Sequence, residues 1–216
     1  PAINPLSNKN KELSAEFVKA TREWLEDLYG VPADADLVLE ISRFDPFKGP
    51  MEIVTAMAEV LVRIRKKAEE GDEKAKHYAE HLHFVYAGNV PSDNLKGVKL
   101  FKDIQAYAAS LPEGLREHVH IVDLKDADGE IEFTEEQRKA LMETMHIDEK
   151  GVEALNRHGK AVNALAVNAL QTDAAEVVQF SSKEGFGLTV AEAMFKAMHL
   201  KPTVMIATNA GGIADQ

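Results

Sequence analysis

The sequence predicts an α/β fold, with a parallel sheet and helices on both of its faces. Short apolar runs rich in Val and Ile alternate with longer stretches of helical apolar spacing, the pattern of consecutive βα units. A glycine turn, Gly185-Phe186-Gly187, joins one such run to one such helix. Residues 1–216 read as a single domain, because that length can bury a sizeable core and no internal repeat or low-complexity linker divides it.

The elements follow in order. Residues 1–30 read as a lead-in segment. Leu37 to Ser42 is a buried strand, and Met51 to Glu70 has helical apolar spacing that ends in a charged tail with Gly71. Asp72 to Glu80 is polar and continues as helix or loop. His83 to Gly88 is the second strand, Val98 to Ser110 a helix, and Val119 to Leu124 the third strand. Glu135 to Met145 and Gly151 to Leu170 read as helices. Glu176 to Ser181 is the fourth strand, Thr189 to Met198 the helix behind the glycine turn, and Pro202 to Thr208 the fifth strand. The Rossmann-like strand order 3-2-1-4-5 would put Arg43 and Glu184 on neighbouring strand ends at the topological switch point, where open α/β sheets bind ligands.

Composition narrows the function. Twenty-five basic against 36 acidic residues give a net charge of −11, which argues against nucleic acid and against an anionic membrane surface as partners. A single nucleotide ligand stays compatible, because a few local cations suffice. Cysteine is absent, so neither a disulfide framework nor thiolate chemistry is expected. No apolar run has the length of a membrane span and the N-terminus does not read as a signal peptide, so a cytoplasmic protein is expected.

Two segments carry chemistry. In Lys183-Glu184-Gly185-Phe186-Gly187-Leu188-Thr189-Val190-Ala191-Glu192, two carboxylates with seven residues between them flank a glycine turn and a helix start. Such a turn presents backbone N–H groups and the helix start favours negative charge, which suits a sugar joined to a diphosphate. The plainer reading is a strand–turn–helix junction with Glu192 on a solvated face. Arg43-Phe44-Asp45-Pro46-Phe47-Lys48-Gly49-Pro50 follows the first strand, and two cations there can clamp a diphosphate, Arg as a fork and Lys as a point charge. Taken alone, Arg43 and Lys48 are ordinary surface charges.

Together with Pro1 to Asn10 and Ala210-Gly211-Gly212-Ile213, these segments make the chain resemble the C-terminal, donor-binding half of the family 4 retaining glycosyltransferases of GT-B fold. The opening segment is similar to the interdomain stretch of the trehalose-forming branch, which holds trehalose glycosyltransferring synthase and a close relative, trehalose phosphorylase. The resemblance implies one GT-B half-domain and transfer of glucose from a nucleotide-glucose, UDP- or ADP-glucose, onto glucose. It implies that Arg43 and Lys48 hold the donor diphosphate, that Glu184 contacts the donor sugar and that Glu192 contacts the ribose. Backbone amides of Gly185, Phe186, Gly187, Leu188 and Thr189 would contact sugar and phosphate. No metal and no cofactor is implied. The nucleobase would lie near Gly88 and Leu124.

Two departures from the family pattern stand out. The chain stops soon after Gly211-Gly212 where the family continues, and the acceptor-binding domain is absent, so the isolated chain is expected to lack turnover and to self-associate through an exposed sheet edge. Phe195 to Lys201 is longer than the family's connection, so either a longer helix or a redesigned or recombined sequence is expected, and either could shift the fifth strand and disturb the site. A phosphorylase-type domain and a non-catalytic scaffold are the alternatives.

Other constellations are weaker. Asp126, Asp128 and Glu135 fall on calcium-loop positions around Gly129, but Leu124 would occupy the first ligand position. His77, His81 and His83 are near in sequence without a fitting carboxylate or cysteine pattern, and surface histidines are expected. The methionines read mostly as core residues.

Overall fold

The computed structural model describes residues 3–91, 94–124 and 160–213, with the isolated positions 135, 139, 142–143 and 148–150. The calcium-loop residues Asp126 and Asp128, most of the helix expected over 135–145 and the start of the one expected from Gly151 lie outside them.

The described elements run α1 (Ala15–Tyr29), β1 (Asp36–Ile41), a 3-10 turn (Pro46–Lys48), α2 (Pro50–Glu69), α3 (Glu73–His81), β2 (Leu82–Gly88), α4 (Leu95–Ser110), α5 (Glu113–Arg116), β3 (Val119–Asp123), α6 (Lys160–Asp173), β4 (Glu176–Gln179), α7 (Leu188–His199), β5 (Val204–Ala207) and a closing 3-10 turn (Gly211–Ile213). The five strands form one parallel sheet in the order β3-β2-β1-β4-β5, as expected. β1 is central, with Val38 paired to Phe84 of β2 on one side and to Glu176 of β4 on the other. The fifth strand holds its expected place because α7 runs on to His199 and absorbs most of the longer Phe195–Lys201 connection.

Strand alternation divides the core in two. Leu37, Leu39 and Ile41 face one way, with Val85, Val122 and Val177, and pack against α1, α6 and α7 through Trp24, Leu25, Leu170 and Ala193. Val38, Phe84, Tyr86, Ile121 and Val178 face the other way and pack against α2, α4 and α5. Both faces are therefore covered, which is why these strands read as continuous apolar runs.

Local chemistry sets the helix starts. Ser14 caps α1 by accepting the Phe17 N–H at 3.2 Å, Asp72 caps α3 through the Lys74 and Ala75 amides, and Asn94 caps α4 through Lys96 and Gly97. α1 itself lies inside what reads from sequence as lead-in, and α4 begins three residues earlier than expected. The Arg22 guanidinium donates to the carbonyls of Pro32, Ala33 and Ala35, which fixes the chain between α1 and β1. Among the described residues no helix is long and apolar enough to cross a membrane. Val204 and Ile206 on the edge strand β5 are half-exposed.

Two expectations about single residues are corrected. Met198 is exposed, because α7 turns that face to solvent. His83 is buried, because β2 is covered on both faces; its Nδ1 lies 2.9 Å from Nε2 of His120, and its ring stacks on His118. Burial, followed by the neighbouring imidazoles, pushes the His83 pKa down to about 3. Burial likewise pushes His120 down to about 4, against a Tyr29 backbone contact that raises it. Between pH 6.5 and about 3 to 4 the unfolded chain therefore binds protons that the folded chain refuses, and stability falls as the pH drops. A His83→Gln/His120→Gln variant should lose less stability between pH 6.5 and 4.5 than the parent, by roughly 2 kcal/mol, in urea unfolding followed by circular dichroism. Equal losses in both proteins would refute that origin of the acid limb.

Candidate functional site

At the carboxyl ends of the strands lies a cleft of about 680 Å³, within the size range of ligand pockets. Arg43 follows β1, Lys48 ends the 3-10 turn, Glu184 follows β4 and Glu192 projects from α7, and all four line it. Phe186, Gly187, Leu188 and Thr189 line it as well, whereas Gly185 does not. Gly88 and Leu124 lie on its wall, at the ends of β2 and β3. Asn163 of α6 joins that wall by donating to Asn89 Oδ1 at 2.8 Å and to the Leu124 carbonyl at 3.0 Å.

The charges are arranged unevenly. Arg43 is exposed, and its side chain makes no hydrogen bond or ion pair among the described residues. Lys48 and Glu184 are paired with each other, their side chains 16% and 17% exposed. The Lys48 ammonium also donates to Ser181 Oγ at 3.2 Å. Glu184 accepts the Gly185 N–H at 3.0 Å, so that amide is turned onto the carboxylate and not into the cleft. Burial pushes the Glu184 carboxyl up, but Lys48 and the Gly185 and Gly187 amides together outweigh it and leave the pKa below its ordinary value. Glu192 is buried apart from its opening to the cleft, which overturns the solvated-face reading. Burial pushes its carboxyl up, opposed by Lys9 and Lys196.

α7 brings its positive end to the cleft. Its N-cap is Gly187 at φ 79°, a left-handed conformation that glycine adopts without strain. No side chain caps the first turn, and Leu188 and Thr189 of that turn line the cleft, so the helix end can meet an anion there.

Several supporting residues are not evident from sequence. Glu40 of β1 is fully buried beneath the site, accepting from Gln179 Nε2 at 2.8 Å and from the Phe180 N–H at 3.0 Å. Gly211 and Gly212 pack against the Glu184–Phe186 backbone, and the Gly212 N–H donates to the Glu184 carbonyl at 3.3 Å. Lys9 reaches the cleft from the lead-in. The Gly-Gly pair and Lys9 belong to the segments that carry the family resemblance, which is the signal that could have found them. Glu40 sits in an apolar run with nothing to mark it.

Comparison with known proteins agrees with this fold. A trehalose synthase of Rubrobacter xylanophilus is 28% identical over 216 residues, which is 100% of this chain and 37% of that protein. A trehalose 6-phosphate synthase of Burkholderia multivorans superposes with a TM-score of 0.54 at 11% identity, over 96% of this chain and 37% of the other. An Anabaena protein crystallised in complex with UDP superposes at 0.50 with 16% identity, over 94% of this chain and 36% of the other. The chain is a relative of the trehalose synthases and has a GT-B glycosyltransferase fold. No family model matches it. The GT-B-type chain spans a little over a third of the length of the curated relative.

Three substitutions probe how this cleft is held. Burial raises the Glu40 pKa to about 8, against the Phe180 amide and Ser42, which lower it. The unfolded chain ionises Glu40 from about pH 4.5, so the folded state binds the extra proton and stability falls as the pH rises toward 8. Glu40→Gln should flatten the fall in unfolding free energy between pH 6.5 and 8 relative to the parent, since the histidine contribution is common to both proteins; a fall as steep as the parent's would refute it. A Cβ on Gly211, at φ +54°, would stand 1.8 Å from the Glu184 carbonyl oxygen, whereas one on Gly185 meets nothing within 4 Å. Gly211→Ala should cost about 1–3 kcal/mol in urea unfolding and Gly185→Ala under about 1 kcal/mol. Similar costs at the two positions would contradict the packing argument.

Proposed function

We propose that this chain binds a nucleoside diphosphate glucose and is the donor-binding half of a retaining glycosyltransferase that joins glucose to glucose as trehalose. The observation that carries the reading is the convergence of Arg43, Lys48, Glu184, Glu192 and the start of α7 on one cleft. In this reading Arg43, which lines the cleft, forks across phosphate oxygens, and Lys48 shifts part of its contact from Glu184 to the diphosphate. Glu184, kept ionised by Lys48 and the turn amides, accepts hydrogen bonds from sugar hydroxyls. Glu192 accepts from the ribose. The base lies along Gly88 and Leu124.

The chemistry asked of these residues is electrostatic. The bond between the sugar anomeric carbon and the diphosphate oxygen breaks, positive charge develops on the sugar ring, and the electron pair leaves with the diphosphate. Arg43, Lys48 and the α7 N-terminus stabilise that leaving charge. Glu184 positions the sugar and is not assigned as a nucleophile. The acceptor and any turnover need a second domain facing this cleft, which is consistent with relatives nearly three times as long.

Calorimetric titration of UDP, ADP and their glucose conjugates into the parent and an Arg43→Ala/Lys48→Ala variant tests the reading. Binding by the parent, with at least about thirtyfold loss in the variant, is the expected result. A well-folded parent that binds no nucleotide would leave a non-catalytic scaffold in its place. Binding that needs added inorganic phosphate would favour a phosphorylase.

A further inference from the structure

Residues Asn4 to Lys11 lie against α6 and α7 and are held at several points. Asn168 Nδ2 of α6 donates to the carbonyls of Asn8 at 3.1 Å and Lys11 at 2.8 Å. Asn10 is buried, and its side-chain amide donates to Ser7 Oγ at 3.0 Å and to the Asn4 carbonyl at 3.2 Å. Its Oδ1 accepts from Lys196 Nζ at 3.4 Å. Lys196 has no exposed surface, and its second contact is Gln171 Oε1 of α6 at 2.9 Å. Positions 8, 10 and 11 are thereby fixed, and Lys9 between them is carried over the cleft.

There the Lys9 ammonium stands 4.0 Å from Glu192 Oε1. Lys9 is half-exposed, whereas the Glu192 side chain is 9% exposed. The Glu192 carboxyl accepts no hydrogen bond among the described residues, and its remaining exposure opens into the cleft. A nine-tenths-buried carboxylate with unused lone pairs is a site for a donor from outside the chain.

We infer that the lead-in segment is part of the ligand site, and that Lys9 is a positioning residue which holds Glu192 ionised and aimed at the vicinal hydroxyls of a nucleotide ribose. This rests on the reading of the cleft as a nucleoside diphosphate site. A carboxylate takes two hydroxyl donors well only when it is ionised, since the protonated form gives up acceptor capacity. Burial works against the ionised form. The charged groups facing Glu192 are Lys9 from the lead-in and Lys196 from its own helix; α6 presents the neutral Asn163, Val167 and Gln171 on that side. Lys196 is itself pushed down to about 8 by burial and has no exposed surface, whereas Lys9 is half-exposed at the mouth of the cleft beside the carboxylate.

The test compares parent, Lys9→Met and Lys9→Arg, with UDP and ADP and their 2′,3′-dideoxy analogues, by calorimetry between pH 5.5 and 8. In Lys9→Met the affinity for the ribose nucleotide should fall about fivefold at pH 5.5 and recover toward the parent value at pH 8, while Lys9→Arg stays near the parent. The dideoxy analogues carry the same phosphates and should bind parent and Lys9→Met alike. Carbon-13 shift titration of Glu192 in nucleotide-free protein should give a higher pKa in Lys9→Met than in the parent. A loss that is equal at all pH values and shared by the dideoxy analogues would make Lys9 a phosphate contact or a packing residue and overturn the inference. An unchanged Glu192 titration would overturn it without any ligand. A parent that binds neither nucleotide would overturn the nucleotide reading of the cleft and this inference with it, although the Glu192 titration would still report on Lys9.

Discussion

The carboxyl ends of β1 and β4 are held together by one buried side chain, Glu40. Its two oxygens take the Gln179 amide and the Phe180 N–H, so the chain leaving β4 is fixed to the centre of the sheet before it turns into the site. From there Ser181 exchanges hydrogen bonds with the Thr208 hydroxyl, and the Ser182 N–H donates to the Phe47 carbonyl. Glu184 is thus positioned from three sides: β1 beneath, β5 on one flank and the 3-10 turn on the other. Lys48 belongs to that same turn, so the pairing of Lys48 with Glu184 follows from backbone placement and not from a chance surface encounter. A buried carboxyl costs free energy unless its hydrogen bonds are made, and here they are made to the segment that the site needs fixed.

The electrostatics of the cleft run against those of the whole molecule. The chain carries a net charge of −11, yet Lys9, Arg43, Lys48 and the α7 N-terminus gather at one place. A diffuse negative surface repels polyanions through long-range fields, while a cleft responds to the few groups within a Debye length. That separation of scales allows an acidic protein to hold a small anionic ligand.

Much of this could be read from the residues in order. The βα alternation predicts the parallel sheet, the Rossmann-like order 3-2-1-4-5 sets Arg43 and Glu184 on neighbouring strand ends, and the family resemblance joins Lys48 and Glu192 to them. What escaped depends on contacts far apart in sequence. Lys9 reaches the cleft through the bonds of Asn168 to Asn8 and Lys11, which lie 160 and 157 residues away. Lys196 lies in the Phe195–Lys201 stretch with no local sign of burial, and its burial arises because the lead-in covers that face. Glu40 falls within the run read as a buried strand; alternation places it with Val38, facing α2, at the point where Gln179 and Phe180 supply donors. His83 reads as a surface histidine by proximity to His77 and His81, although a strand position in a doubly covered sheet already implies burial.

The two ends of the cleft therefore owe their shape to different forces. The Lys48–Glu184 end stands on strand ends, glycine contacts and a buried carboxyl whose hydrogen bonds tie β4 to β1. The Glu192 end stands on α7 and on a segment without regular structure, held by Asn10, Asn168 and a buried ammonium. A few side-chain hydrogen bonds, each contributing on the order of 1 kcal/mol, open more readily than a sheet does. The lead-in is thus the part of the cleft wall that can release locally while the Lys48–Glu184 part stays formed. Because that release carries Lys9 away from Glu192, the order of the segment and the charge of the carboxylate are linked: protonating Glu192 weakens the hold on Lys9, and losing Lys9 raises the affinity of Glu192 for the proton.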